Sequence, residues 1–110
     1  MYNLGDYFFY GAIVEKSFSE AAKLYRKAAE QGNALAQYKL GICYKDGFND
    51  YAEAMKWLQL AAEQGNANAQ YELGRCYENQ NSDKNEAKKW YLKAAGQGHI
   101  KAFYALKQSI

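Results

Sequence analysis

Proline is absent from the 110 residues, histidine occurs once and cysteine twice. Without proline, no position removes a backbone donor and so breaks a helix. Abundant alanine, with long helix-compatible stretches between short Gly- and Asn-bearing breaks, therefore predicts an all-α fold. No apolar run approaches the roughly 20 residues of a membrane span. A dominant charge is missing as well: 14 Lys+Arg stand against 12 Asp+Glu, a formal net of +2. That balance gives no reason to expect nucleic acid or an acidic membrane as a partner. The opening "MYNLGDYFFY" has no basic segment followed by an apolar one. No secretion signal is visible, so a cytoplasmic address is expected, or a periplasmic or secreted one if a signal has been removed. The length suits one domain, residues 1–110.

The residues that usually carry chemistry are as scarce. Cys43 and Cys76 sit next to apolar helix positions and read as small buried hydrophobes, not as a disulfide, a metal pair or a nucleophile. His99 reads as a cap at a turn, with no Ser/His/Asp set around it and too few His or Cys ligands for a metal. "GAIVEKS" (Gly11 to Ser17) lacks the closing Gly-Lys-Ser/Thr of a phosphate loop. Asp46 and Asp50 flank a loop without a cleft and read as surface charge. No catalytic residue, metal or cofactor is expected.

What the chain does have is a repeat. "AAEQGN" runs from Ala28 to Asn33 and returns from Ala61 to Asn66; "AAGQGH" occupies Ala94 to His99. "ALAQYKLGICY" (Ala34 to Tyr44) returns as "ANAQYELGRCY" (Ala67 to Tyr77), and "EAMKWLQLAA" (Glu53 to Ala62) as "EAKKWYLKAA" (Glu86 to Ala95). Upstream, "EAAKLYRKAA" (Glu20 to Ala29) keeps the phase and "LGDYF" (Leu4 to Phe8) nearly so. Repeats of approximately 1–33, 34–66 and 67–99, with a half-repeat over 100–110, span the chain. Each reads as a helical hairpin. In the second, helix A runs over about Ala34 to Lys45 and helix B over about Tyr51 to Glu63. Ala36, Leu40, Cys43 and Tyr44 share one face of A; Tyr51, Ala54, Leu58 and Ala61, with Trp57 alongside, share one face of B. Gly41 and Gly74 would weaken their helices, so close approach of helix B is predicted there. In "AAEQGN" the glycine is predicted to close helix B in the left-handed conformation and the asparagine to cap the next helix, while Glu and Gln form an exposed last turn.

The pattern A-x-A-x-x-x-L-G-x-x-Y, then A-x-x-W-x-x-x-A-A-x-Q-G, resembles the Sel-one-like repeat (SLR), a tetratricopeptide-like α/α family. The resemblance implies a right-handed α/α superhelix of three hairpins plus a C-terminal capping helix. It also implies a non-catalytic adaptor whose A helices line a concave groove for a partner peptide or helix. Two departures matter: the loops "GFND" (Gly47 to Asp50) and "QNSD" (Gln80 to Asp83) are short, and Lys107 replaces the glycine of Gly41 and Gly74. With no helix B to follow, a long charged side chain there is expected to shield the end of the array. Residues matching Ala34 to Ala36 would precede Met1, so the first helix is expected to be clipped, either by a short natural start or as part of a longer array. Some secreted members carry two cysteines per repeat and a β-lactam-binding branch exists; one cysteine per repeat fits that branch poorly.

The partner-binding positions expected on the A helices lie opposite the core stripe. They are Tyr2 and Asp6, with Phe9; Leu35, Tyr38, Ile42 and Lys45; Asn68, Tyr71, Arg75 and Glu78; and Lys101 and Tyr104, with Gln108. Read across repeats, Tyr2, Tyr38, Tyr71 and Tyr104 form a uniform column suited to peptide contact. Asp6, Ile42, Arg75 and Gln108 form a variable column suited to selectivity. The expected function is protein–protein interaction, with self-association through the array ends also open. The alternative is a secreted or periplasmic bacterial effector or toxin-neutralising protein on the same scaffold.

Overall fold

The structure, a computed structural model, describes residues 18–80 and 83–109. The expected first A helix, with Tyr2, Asp6 and Phe9, lies outside them. Helix α1 covers residues 18–30, α2 Ala34–Ile42, α3 Tyr51–Glu63, α4 Ala67–Asn79, α5 Lys84–Gly96 and α6 Ile100–Ser109. From α2 onward each helix packs on the next in chain order, which makes a helical repeat solenoid.

The junctions follow from "AAEQGN". Gly32, Gly65 and Gly98 take φ of +94°, +97° and +88°, the left-handed region that a side chain resists. After α3, Gly65 N–H bonds to Ala62 O at 3.0 Å and Asn66 N–H to Ala61 O at 3.1 Å, the paired bonds of a Schellman closure. Asn33 and Asn66 then accept the N–H of Ala36 and Ala69 through Oδ1, each at 2.9 Å. The short loops use aspartate instead. Asp50 Oδ1 accepts from Glu53 N–H at 3.2 Å and Asp83 Oδ1 from Glu86 N–H at 3.1 Å. Asp50 is thus a helix cap rather than idle surface charge, a correction to the sequence reading. Helix A of the second repeat also departs from expectation. It is α-helical only to Ile42, and Cys43–Gly47 form a π-helical turn. That wider turn sets Gly47 against Phe18, whose ring a Cβ would meet at 2.6 Å.

Among the described residues the core consists of three clusters, each built across a repeat boundary. Ala22 and Ala29 of α1 pack with Ala36 and Leu40 of α2, Cys43, and Trp57 from α3. Leu58 and Ala61 of α3 pack with Ala69, Leu73 and Cys76 of α4 and with Trp90 from α5. Ala87, Tyr91 and Ala94 of α5 pack on Ala102 of α6. No hairpin buries its apolar face alone, which is why the helices stack. The predicted close approach is present: a Cβ on Gly41 would lie 2.8 Å from Leu58 Cγ, and one on Gly74 would lie 2.8 Å from Tyr91 Cε1. Both thiols are free and buried, in different clusters. Burial pushes the Cys76 thiol up to about 11, which leaves it protonated and inert at neutral pH.

A polar ladder runs through this apolar stack. Buried Gln37 donates to Ala29 O at 3.1 Å, and Gln64 donates to both Gln37 Oε1 (2.8 Å) and Gly32 O (3.0 Å). One repeat later Gln70 donates to Ala62 O at 3.1 Å, and Gln97 donates to Gln70 Oε1 (3.0 Å) and Gly65 O (2.8 Å). The glutamine read as part of an exposed last turn therefore reaches back to the glycine of the preceding copy and fixes the spacing of neighbouring repeats.

Candidate interaction surface on the A helices

Tyr38 on α2 and Tyr71 on α4 open into one depression of about 370 Å³, lined also by Asn68, Glu72, His99 and Lys101 and by the Gly98–Ile100 backbone turn. Two successive repeats and the start of α6 thus contribute to one site. Its walls are fixed by packing. Tyr71 stacks on His99, with ring centroids 4.8 Å apart and planes 24° apart, and rests on buried Tyr91 at 5.9 Å. Tyr91 stands where the preceding repeat has Leu58, so the larger residue that fills the Gly74 gap also props Tyr71. Its hydroxyl donates to Glu78 at 3.2 Å. Burial, then the nearby Glu78 carboxylate, holds the Tyr91 phenol well above its usual range.

His99 caps α6 as expected and does more. Its Nδ1 accepts Ala102 N–H at 3.2 Å, so Nε2 carries the hydrogen and donates to Asn68 Oδ1 at 2.9 Å. Burial, then Lys101, lowers its pKa below 6.5. Beneath the depression, Glu72 receives Lys45 Nζ at 3.4 Å and Arg75 at 3.8 Å. Its side chain is only 15% exposed, which lets the pairing resist screening better than an open surface pair. Lys45 also pairs with Asp46 at 3.0 Å. Burial pulls the Lys45 ammonium down, but Asp46 and Glu72 together outweigh it and the net shift is upward. The Tyr38 phenol is raised by burial and by Glu72.

Of the expected positions, Tyr38, Asn68, Tyr71 and Lys101 come together here. Lys45 and Arg75 line a smaller recess of about 70 Å³ beside Cys76 and Tyr51, joined to the first through Glu72. Leu35 is 58% exposed but does not line either. Ile42 is half-buried and packs against the core, so the column that reads as variable does not present as one row. Glu78 and Gln108 face a separate hollow with Lys84 and Ala105. Tyr104 lines another beside Phe103, so the tyrosine column divides as well. Sequence reasoning missed Glu72, His99 and Ile100 as lining residues. Glu72 follows Tyr71 and lies one helical step off the stripe, and its pairing with Lys45 crosses a repeat boundary. Among the described residues no group of three or more His, Cys, Asp or Glu could hold a metal ion, and no helix is long and apolar enough to cross a membrane.

The periodic junctions, the glycine gaps and the capped hairpins have a counterpart among known families: a Sel1 repeat model matches residues 1–33, 34–66 and 67–99. The chain belongs to the Sel1 repeat family. A solved structure agrees, that of a protective antigen present in uropathogenic Escherichia coli strains and displaying an SLR fold. It superposes with a TM-score of 0.73 at 35% sequence identity, over 77% of this chain and 20% of that one. This chain therefore spans a minor part of that antigen's length. A search of curated proteins finds no matching relative. Sel1 repeats are generally protein-interaction scaffolds, and the SLR fold is typically non-catalytic.

Proposed function

We propose that the chain is an adaptor that holds a peptide or helix of a partner protein in the depression between Tyr38 and Tyr71. The observation that carries this reading is the convergence of two half-buried tyrosines from successive repeats on one recess with Asn68, Glu72 and Lys101 at its edges. Tyrosines give contact area at low entropy cost, and the polar rim gives orientation. Propping by Tyr91 and His99 pre-organises the site, which lowers the ordering penalty of binding. The reading includes no catalysis; a nitrocefin assay is expected to stay flat.

Affinity capture from lysate of the source cell, comparing wild type with Tyr38→Ala plus Lys101→Glu, tests the reading. A photo-crosslinking residue at Tyr38 then maps what lies in the recess. A captured protein that is lost with the double variant and crosslinks at position 38 is expected. Undiminished capture by the variant would move the binding surface elsewhere. The likeness to a protective antigen favours a second reading, a secreted or periplasmic effector on the same scaffold. Fractionation of the native cells separates the two.

A further inference from the structure

Phe103 stands where the inner repeats carry Gln37 and Gln70. Those amides accept the hydrogen bond that fastens the following repeat, so α6 lacks the polar half of another such junction. Lys107 stands where Gly41 and Gly74 admit a B helix. A further hairpin of the same kind thus finds neither its hydrogen bond nor its point of close approach on α6. Lys107 is exposed with Nζ 5.5 Å from the Phe103 ring centroid. The rest of the face is apolar and open. Ile100, Phe103 and Tyr104, spaced three and one apart as on a helical stripe, are 69%, 52% and 58% exposed. With Ala95 and Gly98 they border a hollow of about 210 Å³.

The last two helices carry mostly one sign of charge, with Glu78 and Glu72 of α4 bordering the neighbouring hollows. From residue 84 onward the chain has six lysines (Lys84, Lys88, Lys89, Lys93, Lys101 and Lys107), all exposed, against the single acid Glu86. The preceding 83 residues hold eight basic and eleven acidic side chains. The near-neutral total hides a cationic end.

We propose that the α5–α6 end docks an amphipathic helix of a partner protein whose aliphatic or aromatic stripe is edged by Asp and Glu. The lysines set the sign of the partner's charge. The exposed stripe at helical spacing matches a helix laid alongside it. The hollow beside Phe103 and Tyr104 admits one large side chain, a discrete knob that a helix offers and a layer of lipid headgroups does not. This surface meets the Tyr38–Tyr71 depression at His99 and Ile100, but Phe103 and Lys107 belong to it alone.

A dye-labelled synthetic helix with leucines on one stripe and glutamates beside them serves as the probe. Its control has lysine for every glutamate. Anisotropy is read against wild type, Phe103→Gln, Lys107→Glu and Tyr38→Ala. Phe103→Gln places the inner-repeat residue at an exposed position, and circular dichroism checks that the helices persist. The acidic peptide is expected to bind, to be weakened about tenfold or more by each end variant, to be released by salt, and to ignore Tyr38→Ala. The lysine peptide is expected not to bind. Equal binding of both peptides, indifference to Phe103→Gln, or no binding at all overturns the proposal. So does uptake by phosphatidylserine vesicles in place of the peptide, or sedimentation of the protein alone as a dimer that Phe103→Gln dissolves.

Discussion

His99 holds three contacts at once: the cap on α6, the Asn68 hydrogen bond and the Tyr71 stack. A proton on Nδ1 would turn the cap acceptor into a donor facing another donor. The folded pKa is lowered, first by burial and then by Lys101, so the stabilising contribution is present above the unfolded value near 6.5. It is lost as pH falls through the lower folded value. Thermal melts of wild type and His99→Asn, taken from neutral pH downward, should show a steeper loss for wild type below about pH 6.5. Asn retains a capping oxygen, as Asn33 and Asn66 do, but cannot be protonated; parallel curves would sink this account. The glycines separate two kinds of strain at the same scale. Around Gly65 nothing lies within 4 Å of an added Cβ, so Gly65→Ala is expected to cost only the left-handed conformation, about 1–2 kcal/mol. At Gly74 the obstacle is Tyr91 and the Ala87 carbonyl, an overpacking penalty of about 1–3 kcal/mol. Chemical denaturation of Gly74→Ala with and without Tyr91→Ala checks this. Alanine removes the ring, so the Gly74→Ala penalty should be smaller beside it, whereas additive penalties would argue against a Tyr91 clash.

Between elements, the junction motif carries two functions that a sequence shows unequally. Caps and left-handed glycines are legible because they act within five or six residues, and the 33-residue period repeats them. The gaps at Gly41 and Gly74 are legible because glycine within a helix needs a packing reason. The glutamine ladder is not, since Gln64 and Gln97 find partners 27 and 32 residues away. Both glutamines are exposed, as expected, and an exposed amide at a helix end shows no partner until the neighbouring repeat is in place. The candidate site divides along the same line. Tyr38 and Tyr71 follow from helical spacing, while Glu72 and His99 enter through contacts across repeats. The ladder has a measurable consequence. Gln70→Ala leaves the Ala62 carbonyl and the Gln97 amide without their buried partner, and should cost about 1–3 kcal/mol in urea unfolding. Gln59→Ala removes only an exposed pair with Glu63 and should change stability by about 0.5 kcal/mol or less. Equal effects would mean that the ladder does not couple repeats.

For the whole molecule, stability should follow position along the stack. Helix α4 is held on both sides: Ala69, Leu73 and Cys76 meet α3, while Gly74 receives Tyr91 of α5. Among the described residues, helix α6 rests Ala102 chiefly on α5, with Ala105 and Leu106 partly buried on that cluster beside Tyr71 and Tyr77 of α4. In a stack with nearest-neighbour coupling, a helix packed on one side can open without its distant neighbours. Native-state hydrogen exchange should therefore find α4 amides among the slowest and α6 amides faster, despite similar helical bonding. Gln97 ends α5 and ties that junction to Gly65 and Gln70. Removing its amide in Gln97→Ala should accelerate exchange in α6 and the last turn of α5 while leaving α2 and the middle of α3 unchanged. A uniform acceleration along the chain would instead mean a single cooperative unit. In that case the end face bearing Phe103 and the recess between Tyr38 and Tyr71 would respond together to any ligand, because opening at one could not occur without the other. Graded exchange would leave them energetically separate, so that a partner seated on α6 would order the end of the array with little effect on Tyr38.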